Sequence, residues 1–158
     1  MADVAEGPDA SANAHAKAQA VADRVGVPPG GGVLGADTEV VLDGHALGKP
    51  RDEVDAARML AALSGRSHGV VTALSLVSER GTSEVEAEAT VRFRDLSDGL
   101  RDWYLTKGEW RDRAGAYAIQ GAGAALVESI AGEPSTVIGL PVGALGELLA
   151  GADLTPWG

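Results

Sequence analysis

Val85-Glu86-Ala87-Glu88-Ala89-Thr90-Val91-Arg92-Phe93 (85–93) alternates small or apolar residues with polar ones for its whole length. Successive side chains of a strand point to opposite faces, so this stretch implies a β-strand with one buried and one wet face. The run Val70 to Val77 just before it is apolar enough to be a second strand, and the short connection makes the two antiparallel neighbours. Outward from this pair, Val33 to Leu42 reads as a buried strand entering a turn at Asp43-Gly44, and Ala124 to Ile130 as another strand.

Helical patterns lie between these strands. The Ala-rich stretch Asn13 to Val25 has high helix propensity, with Asn13 as its expected N-cap. A second helix is expected from about Asp52 to Leu63, with Val54, Ala57, Leu60 and Ala61 on one face and Gly65 closing it. Ser97 can cap a short helix carrying Leu100, Trp103 and Tyr104, and Pro141 opens a last helix to Leu149. The order of elements implies an α/β fold, a twisted mixed β-sheet flanked by helices. Residues 1–12 are small and acidic with a Gly-Pro pair and read as a flexible tail, leaving 13–158 as a single domain.

Bulk properties exclude several function classes. The 158 residues are 45% hydrophobic and 23% charged, the balance of a folded chain and not a disordered one. The formal charge of −10 argues against a nucleic-acid polymer as partner, because phosphate backbones are bound by clustered Lys and Arg. Without cysteine there is no disulfide, thiolate nucleophile or Cys-based zinc site. Neither a signal peptide nor an apolar run near the roughly 20 residues of a membrane span is present, so a cytoplasmic protein is expected. The sequence has no P-loop and no Gly-x-Ser-x-Gly elbow, and His15, His45 and His68 are spaced as structural or solvated residues.

Three segments carry candidate chemistry. Asp37, in Gly35-Ala36-Asp37-Thr38, stands where a strand can deliver a carboxylate that holds a metal or deprotonates water, or else it caps a turn. Lys49, between Gly48 and Pro50, is either aimed at a phosphate by a rigid turn or solvated. Gln120, in Ala114-Gly115-Ala116-Tyr117-Ala118-Ile119-Gln120-Gly121, can read a base edge or sit in a surface turn.

These segments, with Met59 to His68, Thr106 to Glu109 and Val137 to Pro141, resemble the Maf-like nucleotide pyrophosphatases, in the family's order across about residues 14 to 150. The resemblance implies a Maf/ITPase-like fold and hydrolysis of a nucleoside triphosphate to the monophosphate and pyrophosphate with a divalent metal, Mg²⁺ or Mn²⁺. It implies Asp37 as proton acceptor and metal ligand, Lys17 and Lys49 near the phosphates, and Thr38 and Gln120 in base selection. The Asp-Thr and Ile-Gln-Gly combination resembles the branch acting on dTTP and UTP, and the family makes a homodimer an expected state. Family members begin with a strand and a Ser-x-Ser-Pro-Arg-Arg type loop, whereas this sequence starts near their Lys-Ala helix. The alternative that follows is a truncated homologue that binds nucleotide without efficient catalysis.

Overall fold

A computed structural model describes residues 9–154. Its centre is a five-stranded sheet in the order β2-β1-β3-β4-β5. The strands are β1 (Gly32–Leu42), β2 (His45–Leu47), β3 (Ser67–Ser78), β4 (Gly81–Phe93) and β5 (Val127–Gly132). The helices are α1 (Ala10–Val25), α2 (Glu53–Leu63), α3 (Asp98–Leu105), α4 (Pro134–Ile138) and α5 (Val142–Gly151). This is the α/β layering that the sequence implies. Among the described strands every pairing is antiparallel rather than mixed: β1–β2 and β3–β4 are hairpins, and the chain from β2 crosses β1 by way of α2 to reach β3.

The alternation at 85–93 reads out as expected: Ala89, Val91 and Phe93 are buried, while Glu86, Glu88, Thr90 and Arg92 are exposed. The turn at Asp43-Gly44 closes a hairpin onto β2, a three-residue strand too short to show a periodicity in the sequence. Asp43 and Gly44 have φ of 52° and 76°, the positive values that a two-residue hairpin turn needs.

One face of the sheet carries the main core. Val40, Leu42, Val70, Val91 and Phe93 from the strands meet Met59, Leu60 and Leu63 of α2 and Tyr104 and Leu105 of α3. The buried stripe of α2 is therefore Ala56, Met59, Leu60 and Leu63, and Val54 is 79% exposed. Val54, assigned to the apolar face by spacing alone, falls in the first turn, where Asp52 caps the helix by accepting from Asp55 N. Gly65, at φ 66°, follows the cap residue Ser64 as expected of a helix end. Farther along this face, Leu74 and Leu76 pack on Leu148 and Ala152 at α5.

The opposite face is covered by α1, whose Ala10, Ala14, Ala18 and Ala22 recur every four residues and form a narrow buried stripe. The helix starts earlier than the sequence suggests. Asp9, not Asn13, is its N-cap, accepting from Ala12 N, and Asn13 is 5% exposed inside the helix. Asp9 to Ala12 are thus ordered parts of the helix start, and residues 1–8 of the expected tail lie outside the described residues. The reason α1 can lie so close is Gly35 of β1: a Cβ there would stand 2.1 Å from the carbonyl oxygen of Ala14 and 2.7 Å from the nitrogen of Ala18.

Candidate active site

Asp37 sits in the interior of β1, opposite Ala73 of β3, on the face that Gly35 opens to α1. Asn13 and Lys17 are one helical turn apart on α1 and reach the same carboxylate. Asn13 Nδ2 donates to Asp37 Oδ2 at 3.0 Å, and Lys17 Nζ donates to Asp37 Oδ1. The Asp37 side chain is 12% exposed and that of Lys17 is 26% exposed, so the ion pair is partly withdrawn from water while still reachable. A carboxylate oxygen has two lone pairs, so each oxygen keeps acceptor capacity for water or a ligand.

Glu39 lies two residues farther along β1 and so shares the face of Asp37. Burial holds its pKa above the ordinary carboxylate range, with further upward contributions from Asp37, Asp9 and Glu86. On β4, Glu86 accepts from Ser11 Oγ at 2.8 Å, and Glu84 contacts His15 Nδ1 at 2.8 Å. This face is acidic, and a polyphosphate can approach it only with cations to neutralise both sides. Among the described residues no three His, Asp or Glu side chains converge as metal ligands. Asp37 and Glu39 fit a divalent ion of the Mg²⁺ type, which commonly uses one or two carboxylates and completes its shell with phosphate oxygens and water.

Thr38 faces the other way. Its Oγ1 lies 2.8 Å from Thr72 Oγ1, and Thr72 Oγ1 donates to the carbonyl oxygen of Thr136 at 2.7 Å. Thr72 and Thr136 are fully buried. Gly139, just after α4, borders the same hydroxyl: a Cβ there would come within 3.2 Å of Thr38 Oγ1.

Lys49 is in the exposed loop between β2 and α2. That loop is tied to the 114–121 segment, since Gly115 N donates to the carbonyl oxygen of Gly48 at 3.2 Å. The segment itself is pinned from three sides. His68 Nε2 and Tyr117 Oη share a hydrogen bond at 2.8 Å, and Ala118 N donates to Tyr104 Oη at 3.1 Å. Glu109 accepts from Ala122 N at 3.0 Å and from Gly123 N at 3.2 Å. These are the donors that an N-cap side chain satisfies at the start of the short 3-10 turn Gly121–Ala125. Gln120 stands at that N-cap position, makes no side-chain capping bond and is exposed. Gly123 permits the fold-back, because a Cβ would stand 1.7 Å from the carbonyl oxygen of Ala118.

The structure thus joins Lys17 with Asp37 on one face of β1 and puts Thr38 on the other. Lys49 and Gln120 are on two loops held to each other by the Gly115–Gly48 bond. Sequence reasoning missed Asn13 and Glu39. The signal for Glu39 was present in the period of two from Asp37; for Asn13 it was the four-residue spacing to Lys17. His68 is a core residue as expected, with burial lowering its pKa to about 4.

Comparison with known proteins places this chain among relatives by sequence. The model of a family described as "Maf-like protein" matches residues 2–152. The chain is 45% identical to a dTTP/UTP pyrophosphatase of Myxococcus xanthus, over 99% of this chain and 82% of the relative. It is 44% identical to a dTTP/UTP pyrophosphatase of Alcanivorax borkumensis, over 90% of this chain and 74% of the relative. It is 52% identical to another of that description from Symbiobacterium thermophilum, over 80% of this chain and 63% of the relative. Among the described residues no helix is long and apolar enough to cross a membrane.

Proposed function

Because this chain belongs to the Maf-like protein family, we propose that it hydrolyses nucleoside triphosphates of the dTTP and UTP type to the monophosphate and pyrophosphate. The observation that carries this reading is Asp37 in mid-strand, held by Asn13 and Lys17 from a facing helix. A carboxylate fixed in this way is oriented before substrate arrives and loses little freedom on reaction.

In the proposed reaction a water attacks the α-phosphorus, the bond to the bridging oxygen of the β-phosphate breaks, and pyrophosphate leaves. Asp37 orients the water and accepts its proton. Lys17 and Lys49 balance charge on the phosphates, Lys17 from beside Asp37 and Lys49 from the loop before α2. A bound Mg²⁺ or Mn²⁺ would supply further neutralisation of the phosphates, with Asp37 as its protein ligand and Glu39 beside it. Thr38 and Gln120 select the base, and the bonds from Glu109, Tyr104 and His68 keep the Gln120 segment rigid while doing so. A homodimer in the cytoplasm acting on free nucleotides belongs to the same proposal.

The test is pyrophosphate release from dTTP, UTP, CTP and GTP with Mg²⁺ or Mn²⁺. The expected result is metal-dependent release fastest with dTTP and UTP, lowered about 100-fold or more in Asp37→Asn. Undiminished release by that variant would remove Asp37 from the chemistry. Nucleotide binding without release from any of the four would favour the binding-only homologue.

A further inference from the structure

The hydroxyls behind Thr38 fix which way its proton points. Thr72 Oγ1 has one proton and gives it to the carbonyl oxygen of Thr136, which can only accept. Towards Thr38, 2.8 Å away, Thr72 is therefore left as an acceptor, and Thr38 must be the donor. Both Thr72 and Thr136 are 0% exposed, so no solvent molecule competes for these protons. Thr38 is half-buried, and its remaining lone pairs are acceptors only. The missing side chain of Gly139, whose Cβ would crowd Thr38 Oγ1 at 3.2 Å, leaves room beside that oxygen for a ligand atom.

We propose that the relay from the Thr38 hydroxyl through the Thr72 hydroxyl to the Thr136 carbonyl makes Thr38 an obligate acceptor that selects bases bearing a ring N–H, with Thr72 as the positioning residue. This deepens the proposed function and rests on its reading of Thr38 in base selection. Uracil and thymine present an N–H at ring position 3, whereas cytosine presents a lone pair there. An acceptor facing a lone pair leaves both unpaired, so the chain rejects cytosine by the same bond that accepts uracil. A free threonine hydroxyl could rotate and serve either base; this one cannot.

The experiment compares dissociation constants for UTP and CTP as their non-hydrolysable α,β-methylene analogues with Mg²⁺ present, so that binding is read without turnover. The unmodified chain should prefer UTP. Thr72→Val, which matches the shape of Thr but neither accepts nor donates, releases the Thr38 proton and should reduce the UTP to CTP preference about tenfold. Thr72→Ser restores the hydroxyl and should restore the preference. An unchanged preference in Thr72→Val, with a collapsed one in Thr38→Val, would overturn the relay and leave the role of Thr38 standing. Unchanged preference in Thr38→Val as well would overturn that role and the inference with it. A probe that needs no variant is the UTP analogue methylated at ring nitrogen 3: the unmodified chain should bind it about tenfold more weakly than the unmethylated analogue. Equal binding would overturn the acceptor assignment, and failure to bind any of these nucleotides would overturn the functional reading itself.

Discussion

Asp37 and Thr38 are neighbours in the chain and belong to different environments. Asp37 looks onto α1, among charged groups that keep some contact with water. Thr38 looks onto the buried Thr72 hydroxyl beside α4, whose proton is fixed on the Thr136 carbonyl. One strand thus presents an ion pair on one face and neutral hydrogen-bonded hydroxyls on the other. The difference teaches that a partly hydrated face suits an ionised group, whose burial would be costly, while a dry face suits a hydroxyl whose direction must not vary.

The comparison can be broken from the charged side at Gly35. Gly35→Ala should destabilise the chain by about 3 kcal/mol in urea unfolding, because the methyl group meets backbone atoms of α1 that no rotamer change can move. It should also lift Asn13 and Lys17 from Asp37 and reduce pyrophosphate release. Unchanged stability would mean that α1 is not packed as closely as the 2.1 Å approach requires.

The dry face can be probed by acid at His68. Its pKa is lowered to about 4 by burial, against an unfolded value of about 6.5. Stability from the neutral imidazole is complete above the unfolded value and is lost as pH falls through the window between the two. Between pH 7 and pH 5 this amounts to about 2 kcal/mol. His68→Phe should flatten that part of the pH dependence, and an unaltered slope would assign it to other groups.

The smallest effect expected is at Glu109. Glu109→Gln replaces one of two acceptors by an amide donor facing a backbone N–H, at a cost of about 1.5 kcal/mol. Amide exchange at Ala122 and Gly123 should quicken in this variant while exchange in β3 stays as it was. Equal protection in both proteins would show that the segment after Gln120 is held without Glu109.

Much of this was legible in the sequence for physical reasons. β4 announced itself because a half-wet strand must alternate, and Ser97 was readable as a cap because the hydroxyl and the helix it starts are adjacent in the chain. The start of α1 was less so: Asp9 and Asn13 can both cap, and only packing puts Asn13 against Asp37. Val54 was misassigned because four apolar residues at helical spacing fit two overlapping faces, and the sheet chose the one through Met59 and Leu63. In the candidate site, Asp37 could be singled out from its strand, whereas Lys17, 20 residues away, was legible only through resemblance. Thr72 and Thr136, 64 residues apart and chemically ordinary, gave no local sign of their bond.

The close approach at Gly35 also bears on how this protein can vary over generations. Every other amino acid carries a Cβ, so any missense change in that codon inserts a carbon where the carbonyl of Ala14 already lies. Positions such as Val54 can drift freely through many residues, but position 35 has no intermediate to drift through. Lineages that retain the Asp37 pairing should therefore retain a glycine two residues before it, making Gly35 a marker of the site as informative as the carboxylate itself.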